Sequence, residues 1–505
     1  MKIYLILFFC FSCLFILQFS TPYLTGTDPY LHIRVTTHQD HFAKQFPYTQ
    51  ASLFHESYAD KEFLFHLILI PFLTIGETEG AKIATIVFST LVILITYFVL
   101  NKRKVPIPVL FIFLFFASAD LFLYRLSLAR PHILSLFLTL YLCWALFENK
   151  RWLIAFLCAV FVLTYTAYHL VIGFALLYCL NKLFHTSKWN GMLLHFAIFG
   201  TFFGIFIHPH FPNNLLIWKV QNIDVLKLLW SGIDLGFADE IQPPDPRWFI
   251  INFTVAFFSL PIALFYCAWK KAEMKEDTTF FIFLAFGFLC LTMMSKRFAE
   301  YWPAYVILAV ACLVRDAKLP LDWRYIFESP KNGENHNQFR TGRNVTIVFT
   351  IITAFFFVRT YTKALYLNSL EHEPYYREAA LWMKEHVPDK ETIFHGDWDD
   401  FPQLFYFNPD NYYLVCLDPI FMYAYDPNLW LKWRLIGRGE SKHPDIEIKT
   451  LFNSRFAFFS IDFTDAIEQF RHHPKMTIGY EDEHCIVFQI HDEIRQKQNP
   501  REHYE

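Results

Sequence analysis

The chain has 505 residues and a formal net charge of -3, and 54% of it is hydrophobic, 20% aromatic and only 18% charged. Sixty phenylalanines against sixteen glycines exclude a soluble composition, and the lack of a basic tract argues against a nucleic-acid partner. Apolar runs long enough to cross a bilayer recur to about residue 360. They predict an α-helical polytopic membrane protein and exclude a lone helix or a closed β-barrel.

Lys2 and the apolar run 3–19 come first. No small-x-small cleavage pattern follows, so this segment is expected to be a retained signal anchor and the first span. A polar, aromatic and acidic loop, 20–62, comes next and opens Gly26-Thr27-Asp28-Pro29-Tyr30-Leu31-His32-Ile33-Arg34. Further apolar runs lie near 80–100, 105–122, 132–147, 152–166, 168–184, 191–208, 248–269, 278–294, 298–314 and 344–361, for about eleven spans in all. The run 63–75 has only about 13 residues, short of the roughly 20 a span needs. Charge placement decides its role. If it does not span, the basic groups at 101–104, 150–151, 182–188, 270–275 and 315–343 all face the cytoplasm, as positive residues prefer. It is therefore expected to be a juxtamembrane or re-entrant helix on the outer face. The loops 20–62, 123–131, 209–247 and 295–297 then face outward, and 315–343 is a polar cytoplasmic linker centred on 331–335. This gives a membrane domain at 1–361, with outer-face segments 20–79 and 209–247, and a soluble α/β domain at 362–505. In the latter, helices are expected at 375–386 and 464–472, and strands at 392–394, 412–416, 456–461 and 485–490.

Several residues could carry chemistry. Asp28 at the outer face suits a general base; an Asp before a proline is equally a helix cap. Asp60 and Glu62 lie just before the 63–75 helix, where Asp60 could cap it or either acid could fold back toward Asp28. Arg130-Pro131-His132, with Arg125 before it, stands at an outward helix start. There an arginine either snorkels to the interface or grips a phosphate bidentately. Lys296-Arg297 with Glu300 repeats that arrangement. His169 and His208-Pro209-His210 stand at further outward helix ends. The His-x-His pair has metal-ligand chemistry but no obvious third ligand, and holding a loop is the competing reading. Asp239, Glu240 and Asp245 add acids in the later outer loop. His395-Gly396-Asp397-Trp398-Asp399-Asp400 reads as a polar strand-to-helix turn. The ten cysteines show no paired spacing and read as packing residues.

These residues, in this order, resemble the GT-C class of membrane glycosyltransferases. The segment Asp28 to Arg34 looks like the first-loop acidic motif of oligosaccharyltransferase catalytic subunits. Asp60-Lys61-Glu62 before an amphipathic helix is similar to the layout of the aminoarabinose and protein O-mannosyl transferases. Arg130-Pro131-His132, His169, His208-Pro209-His210 and the segment from Glu240 to Asp245 look like bacterial members of the class. The resemblance covers roughly residues 1–320. It implies a bacterial inner-membrane enzyme that moves a sugar, with inversion, from a polyprenyl-phosphate-linked donor to a lipid, glycan or protein acceptor on the outer face. It implies catalytic roles for Asp28, Asp60 and Glu62. It also implies substrate contacts from His32, Arg34, Arg130, His132, His169, His210, Glu240 and Arg297, with Arg130 and Arg297 on the lipid phosphate. A divalent metal is compatible with the class, but the loop after the third span has no clean Asp-x-Asp pair. The C-terminal domain also lacks the tryptophan-rich acceptor motif of oligosaccharyltransferases, which points toward monosaccharide transfer to a lipid or glycan. Among the alternatives, a lipid-linked glycan polymerase or ligase matches the long loop 209–247. A non-enzymatic carrier predicts internal symmetry, and the sequence shows none.

Overall fold

The computed structural model describes residues 3–331 and 334–493. Lys2 of the expected anchor and Asn332-Gly333 of the expected linker lie outside the described residues. The chain divides into two compact units. The first comprises Met1–Gly26, Lys61–His208 and Ala238–Glu371, and the second comprises Thr27–Asp60, Pro209–Phe237 and His372–Glu505.

The first unit is helical. By length and composition three of its described helices can cross a membrane alone: Glu77–Lys102, Glu276–Met294 and His336–Ser369. A fourth is the pair Pro246–Asn252 and Thr254–Trp269, bent by 79° where they meet. Shorter apolar helices such as His132–Phe147, Arg151–Thr164 and Gly191–Ile207 take up the other expected runs. Helix Phe63–Leu73 has 11 residues, about 16 Å at 1.5 Å per residue, well short of a bilayer.

Two expectations are corrected here. The run 105–122 is not one helix. It divides into Pro108–Phe116 and Asp120–Arg125, because Ser118 turns back to give its hydroxyl to Phe115 O at 2.6 Å. The Ser118 carbonyl this frees is taken by the Ala256 N–H at 2.9 Å. Ala256 lies in the first turn of the bent pair's second helix, where backbone N–H groups lack intrahelical partners, so the two breaks satisfy each other. Asp120, 2% exposed, then meets Lys363 at 2.8 Å and Arg359 at 3.2 Å. The second correction concerns the linker 315–343, which is shorter than expected. The last long helix already begins at His336, capped by the Asn335 side chain.

Helices Arg151–Thr164 and Gly191–Ile207 approach closely through Gly200 and Gly204, a small-xxx-small spacing. A Cβ built on Gly200 would lie 2.1 Å from Ala155 O, and one on Gly204 would lie 2.8 Å from Ala159 O. Both obstacles are helix backbone, which cannot step aside as a side chain does. Gly200→Ile is therefore expected to destabilise the protein by at least about 2 kcal/mol. Thermal unfolding in detergent micelles checks this, and an unchanged melting temperature would rule out the close packing.

The second unit holds a four-stranded sheet in the order β1-β2-β4-β3: β1 Thr392–His395, β2 Ser454–Ser460, β3 Met476–Glu481 and β4 Cys485–Ile490. The pair β1–β2 is parallel, joined by a helical crossover, and the other two pairs are antiparallel. Helices Arg377–His386 and Thr464–Arg471 stand where the sequence predicts them. β3 is not among the expected strands, since it lies at the sheet edge with one buried residue, Met476. The expected strand 412–416 is corrected to an extended segment with only single bridges to Thr392 and Thr49. On one side Ile393 N–H donates to Tyr412 O at 2.8 Å; on the other Gln50 and Ala51 donate to Tyr413 O and Leu414 O at 2.7 and 2.9 Å. The first loop is thus laid along the C-terminal α/β layer. Phe394, Phe459, Phe470, Phe488 and Trp433 fill the core, and the Trp433 indole N–H donates to His395 O at 2.7 Å.

Candidate functional site

In the second unit, Asp28 is the first residue of helix Asp28–His38, with Pro29 in the first turn and Thr27 at the N-cap position. An acid there gains from the helix dipole. His32 is buried in the same helix. Arg34, expected on substrate, lies over the Tyr406 ring at 4.5 Å and donates from Nε to Tyr406 O at 2.8 Å. These contacts fasten the helix to the C-terminal α/β layer.

Asp60, 3% exposed, and His210, fully buried, meet in this unit. The Asp60 N–H donates to His210 Nδ1 at 3.1 Å, and the Tyr58 ring lies edge-on to the imidazole at 5.4 Å. Lys44 Nζ donates to Phe211 O at 2.7 Å and Asn213 Nδ2 to Tyr58 O at 3.1 Å. The acidic first loop and the 209–213 turn are therefore clasped. A backbone N–H only donates, so Nδ1 carries no proton. Burial holds the His210 pKa below 6.5, outweighing the pull of Asp60. Because the folded value is the lower one, the clasp is at full strength above about pH 6.5 and weakens as the pH falls below it. Hydrogen exchange at 209–213, corrected for its intrinsic pH dependence, is expected to quicken between about pH 7.5 and 5.5. The same segment in His210→Gln, which has no titrating ring, should respond little; equal responses would remove His210 as the cause.

In the first unit, Glu62 is 8% exposed, sits at the N-cap position of helix Phe63–Leu73 and lies 3.6 Å from Lys61 Nζ. His208 packs against the Phe63 ring at 5.8 Å. His169 is exposed at the first residue of helix His169–Thr186. His132 is buried and bonds through Nε2 to Arg125 O at 2.8 Å. An acceptor carbonyl places the proton on Nε2, so His132 braces the turn that carries Arg125.

That turn belongs to a charge cluster made from three separate stretches of chain. Arg125 Nη1 donates to Glu300 Oε1 at 2.7 Å and to Glu240 Oε2 at 3.0 Å. Arg130 reaches both oxygens of Glu240, Nη1 to Oε2 at 3.4 Å and Nη2 to Oε1 at 3.3 Å. Arg297 Nη2 lies 3.3 Å from the same Oε1. The turn Asp239–Ile241 that presents Glu240 is tied down by Ser295 Oγ to Glu240 O at 3.1 Å, Lys296 N to Gln242 O at 3.0 Å and Lys296 Nζ to Asp239 at 2.6 Å. Burial opposes the charge on Glu240, but Arg130, Arg297 and Arg125 outweigh it and hold its carboxyl well below the usual range. Three guanidinium groups face two carboxylates, which leaves one positive charge in excess. Arg297 Nε and Glu300 Oε2 are buried without a hydrogen-bond partner among the described residues. Fixed, partly buried guanidinium forks are suited to binding a phosphate and to stabilising charge that develops on it. The sequence marked Arg130, Glu240, Arg297 and Glu300. It did not mark Tyr165, which follows helix Arg151–Thr164, is buried and interacts electrostatically with Arg297 and Glu240.

The polar turn after β1 is closed by a capping box in which Asp397 and Asp400 bond each other's backbone, and Trp398 Nε1 donates to Gly236 O at 3.0 Å. The carboxylates of Asp397 and Asp400 are occupied in making this turn.

No protein-family model matches the chain, and no curated protein matches it in sequence. Solved structures do. The archaeal oligosaccharyltransferase AglB from Archaeoglobus fulgidus, in complex with an inhibitory peptide and a dolichol-phosphate, aligns over 98% of this chain and 74% of its own, with TM-score 0.66 and 14% identity. ArnT from Cupriavidus metallidurans, bound to undecaprenyl phosphate, aligns over 96% of this chain and 97% of its own, with TM-score 0.58 and 12% identity. The fold is theirs. The arabinofuranosyltransferase AftD from Mycobacteria matches at TM-score 0.56 and 12% identity over 96% of this chain and 41% of its own. The GT-C resemblance seen in the sequence is therefore present in the fold.

Proposed function

We propose that this chain is a GT-C membrane glycosyltransferase. It transfers a sugar, with inversion, from a polyprenyl-phosphate-linked donor to a lipid, glycan or protein acceptor on the outer face of a bacterial inner membrane. The observation that carries this reading is the convergence of Arg125, Arg130 and Arg297 on one carboxylate, in a fold shared with proteins bound to dolichol-phosphate and undecaprenyl phosphate. Nucleotide sugars are made in the cytoplasm, so an outward-facing transferase draws on a lipid-carried donor.

On this reading Asp28 takes the proton of the acceptor hydroxyl as its oxygen attacks the anomeric carbon. The bond from that carbon to the phosphate oxygen breaks, and its electron pair leaves on the phosphate. Arg130 and Arg297 stabilise that charge, while Arg125, fixed by Glu300 and braced by His132, keeps the cluster in register. Asp60 or Glu62 assists Asp28 in orienting the acceptor. Deletion of the gene in its host, with surface glycans and lipids profiled by mass spectrometry, is expected to remove one sugar mass. Complementation with the wild-type gene should restore it. An unchanged profile would overturn the reading.

A further inference from the structure

Glu240 is held differently from its neighbour Glu300. Arg125 meets Glu300 at 2.7 Å, the length of a strong charge-assisted bond. The four contacts to Glu240 run from 3.0 to 3.4 Å, longer than such bonds prefer, even though three guanidinium groups share it. A planar carboxylate has two oxygens and one negative charge. The ring of donors around it fits a tetrahedral group with more oxygens and more charge. With Glu240 in place the cluster has one excess positive charge, and with Glu240 withdrawn it has two. A phosphodiester carries one negative charge and a phosphate monoester up to two. The backbone beneath Glu240 is tied to Ser295 and Lys296, so the side chain can swing while the turn stays.

We propose that Glu240 is an internal stand-in for phosphate: it holds the three arginines together until the phosphate group of the lipid substrate displaces it. This rests on the function proposed above. The carboxylate, held at 3.0–3.4 Å, yields to the incoming phosphodiester donor, and its withdrawal leaves the cluster with the two positive charges that match the monoester formed as the sugar departs. Its return to the arginines then competes with the product phosphate and promotes release.

The test uses the full-length protein in nanodiscs, with farnesyl phosphate and inorganic phosphate as separate probes. Glu240→Gln removes the competing charge and is expected to bind farnesyl phosphate at least about tenfold more tightly than wild type, while Glu240→Asp stays close to wild type. In wild-type protein, carbodiimide labelling of Glu240, read by mass spectrometry, should rise when farnesyl phosphate is added, because the displaced carboxylate becomes accessible. If inorganic phosphate produces the same tightening and labelling, the site recognises the phosphate group alone. A response to farnesyl phosphate only shows that the lipid chain contributes. Equal or weaker binding by Glu240→Gln together with unchanged labelling would overturn the stand-in role while leaving the transferase reading intact. Failure of wild type and variant alike to bind either probe would overturn both.

Discussion

Asp28→Asn is expected to lower sugar transfer by about 10²–10⁴-fold, the range a positioned general base contributes. The substitution keeps shape and hydrogen bonding and removes only basicity. Asn also keeps the side chain's shape at the first residue of a helix whose N-cap position is Thr27, and the lost charge forfeits a helix-dipole interaction of about 0.3–1 kcal/mol. The deletion strain complemented with Asp28→Asn should therefore accumulate normally folded protein yet lack the sugar mass. Wild-type glycosylation by the variant would reduce Asp28 to a helix-start acid and move the search for a base to Asp60 and Glu62.

Arg125→Met should have the largest effect on stability. Arg125 is 8% exposed and Glu300 only 2%, and the arginine contacts both acids of the cluster. Removing it leaves Glu300 buried without its direct ion-pair partner, a change that costs about 3–5 kcal/mol where measured in other buried pairs. The double variant Arg125→Met/Glu300→Gln removes that stranded charge as well and should recover much of the loss. Melting curves of the single and double variants decide the matter. If they lose stability equally, the energy of the pair does not lie in compensating Glu300.

The membrane unit was legible because hydrophobicity alone marks apolar helices, and helices do occupy the expected runs. Hydrophobicity does not register a backbone break within an apolar run, which is why the interruption at Ser118 and the bend at Phe253 escaped notice. Asp120 marked the first of these, an acid in an apolar stretch whose cationic partners Arg359 and Lys363 lie far along the chain. The Gly200-x-x-x-Gly204 spacing is a further readable signal, of close helix packing, that the sequence expectations do not include. In the C-terminal region, composition identified the buried β1, β2 and β4 but missed the exposed edge β3. It overvalued the apolar 412–416 segment, which pairs with the distant first loop rather than with a long neighbouring strand.

The candidate site was legible as parts. Arg130, Arg297 and Glu300 each stood out as charges at the ends of apolar runs, where bare charge is costly, and Glu240 as an acid in the later outer loop. Nothing in their local sequence says that they share one carboxylate, because tertiary packing brings those ends together. Two contacts are visible only in three dimensions: His132 bonds to the Arg125 carbonyl, and Arg34 bonds to the Tyr406 carbonyl.

The attachment of the first loop to the C-terminal layer bears on how the protein is made. Arg34 and its partner Tyr406 are separated by 372 residues. At about 5–20 residues per second, translation opens a gap of roughly 20 to 75 seconds between them. Throughout that interval Phe46 and Phe54, which finish fully buried, lack their partners Phe405 and Phe421, and Gln50 and Ala51 lack the Tyr413 and Leu414 carbonyls to which they donate. The nascent chain therefore leaves an aromatic loop exposed while the ribosome completes the rest, and a folding helper that shields such segments would find its client there.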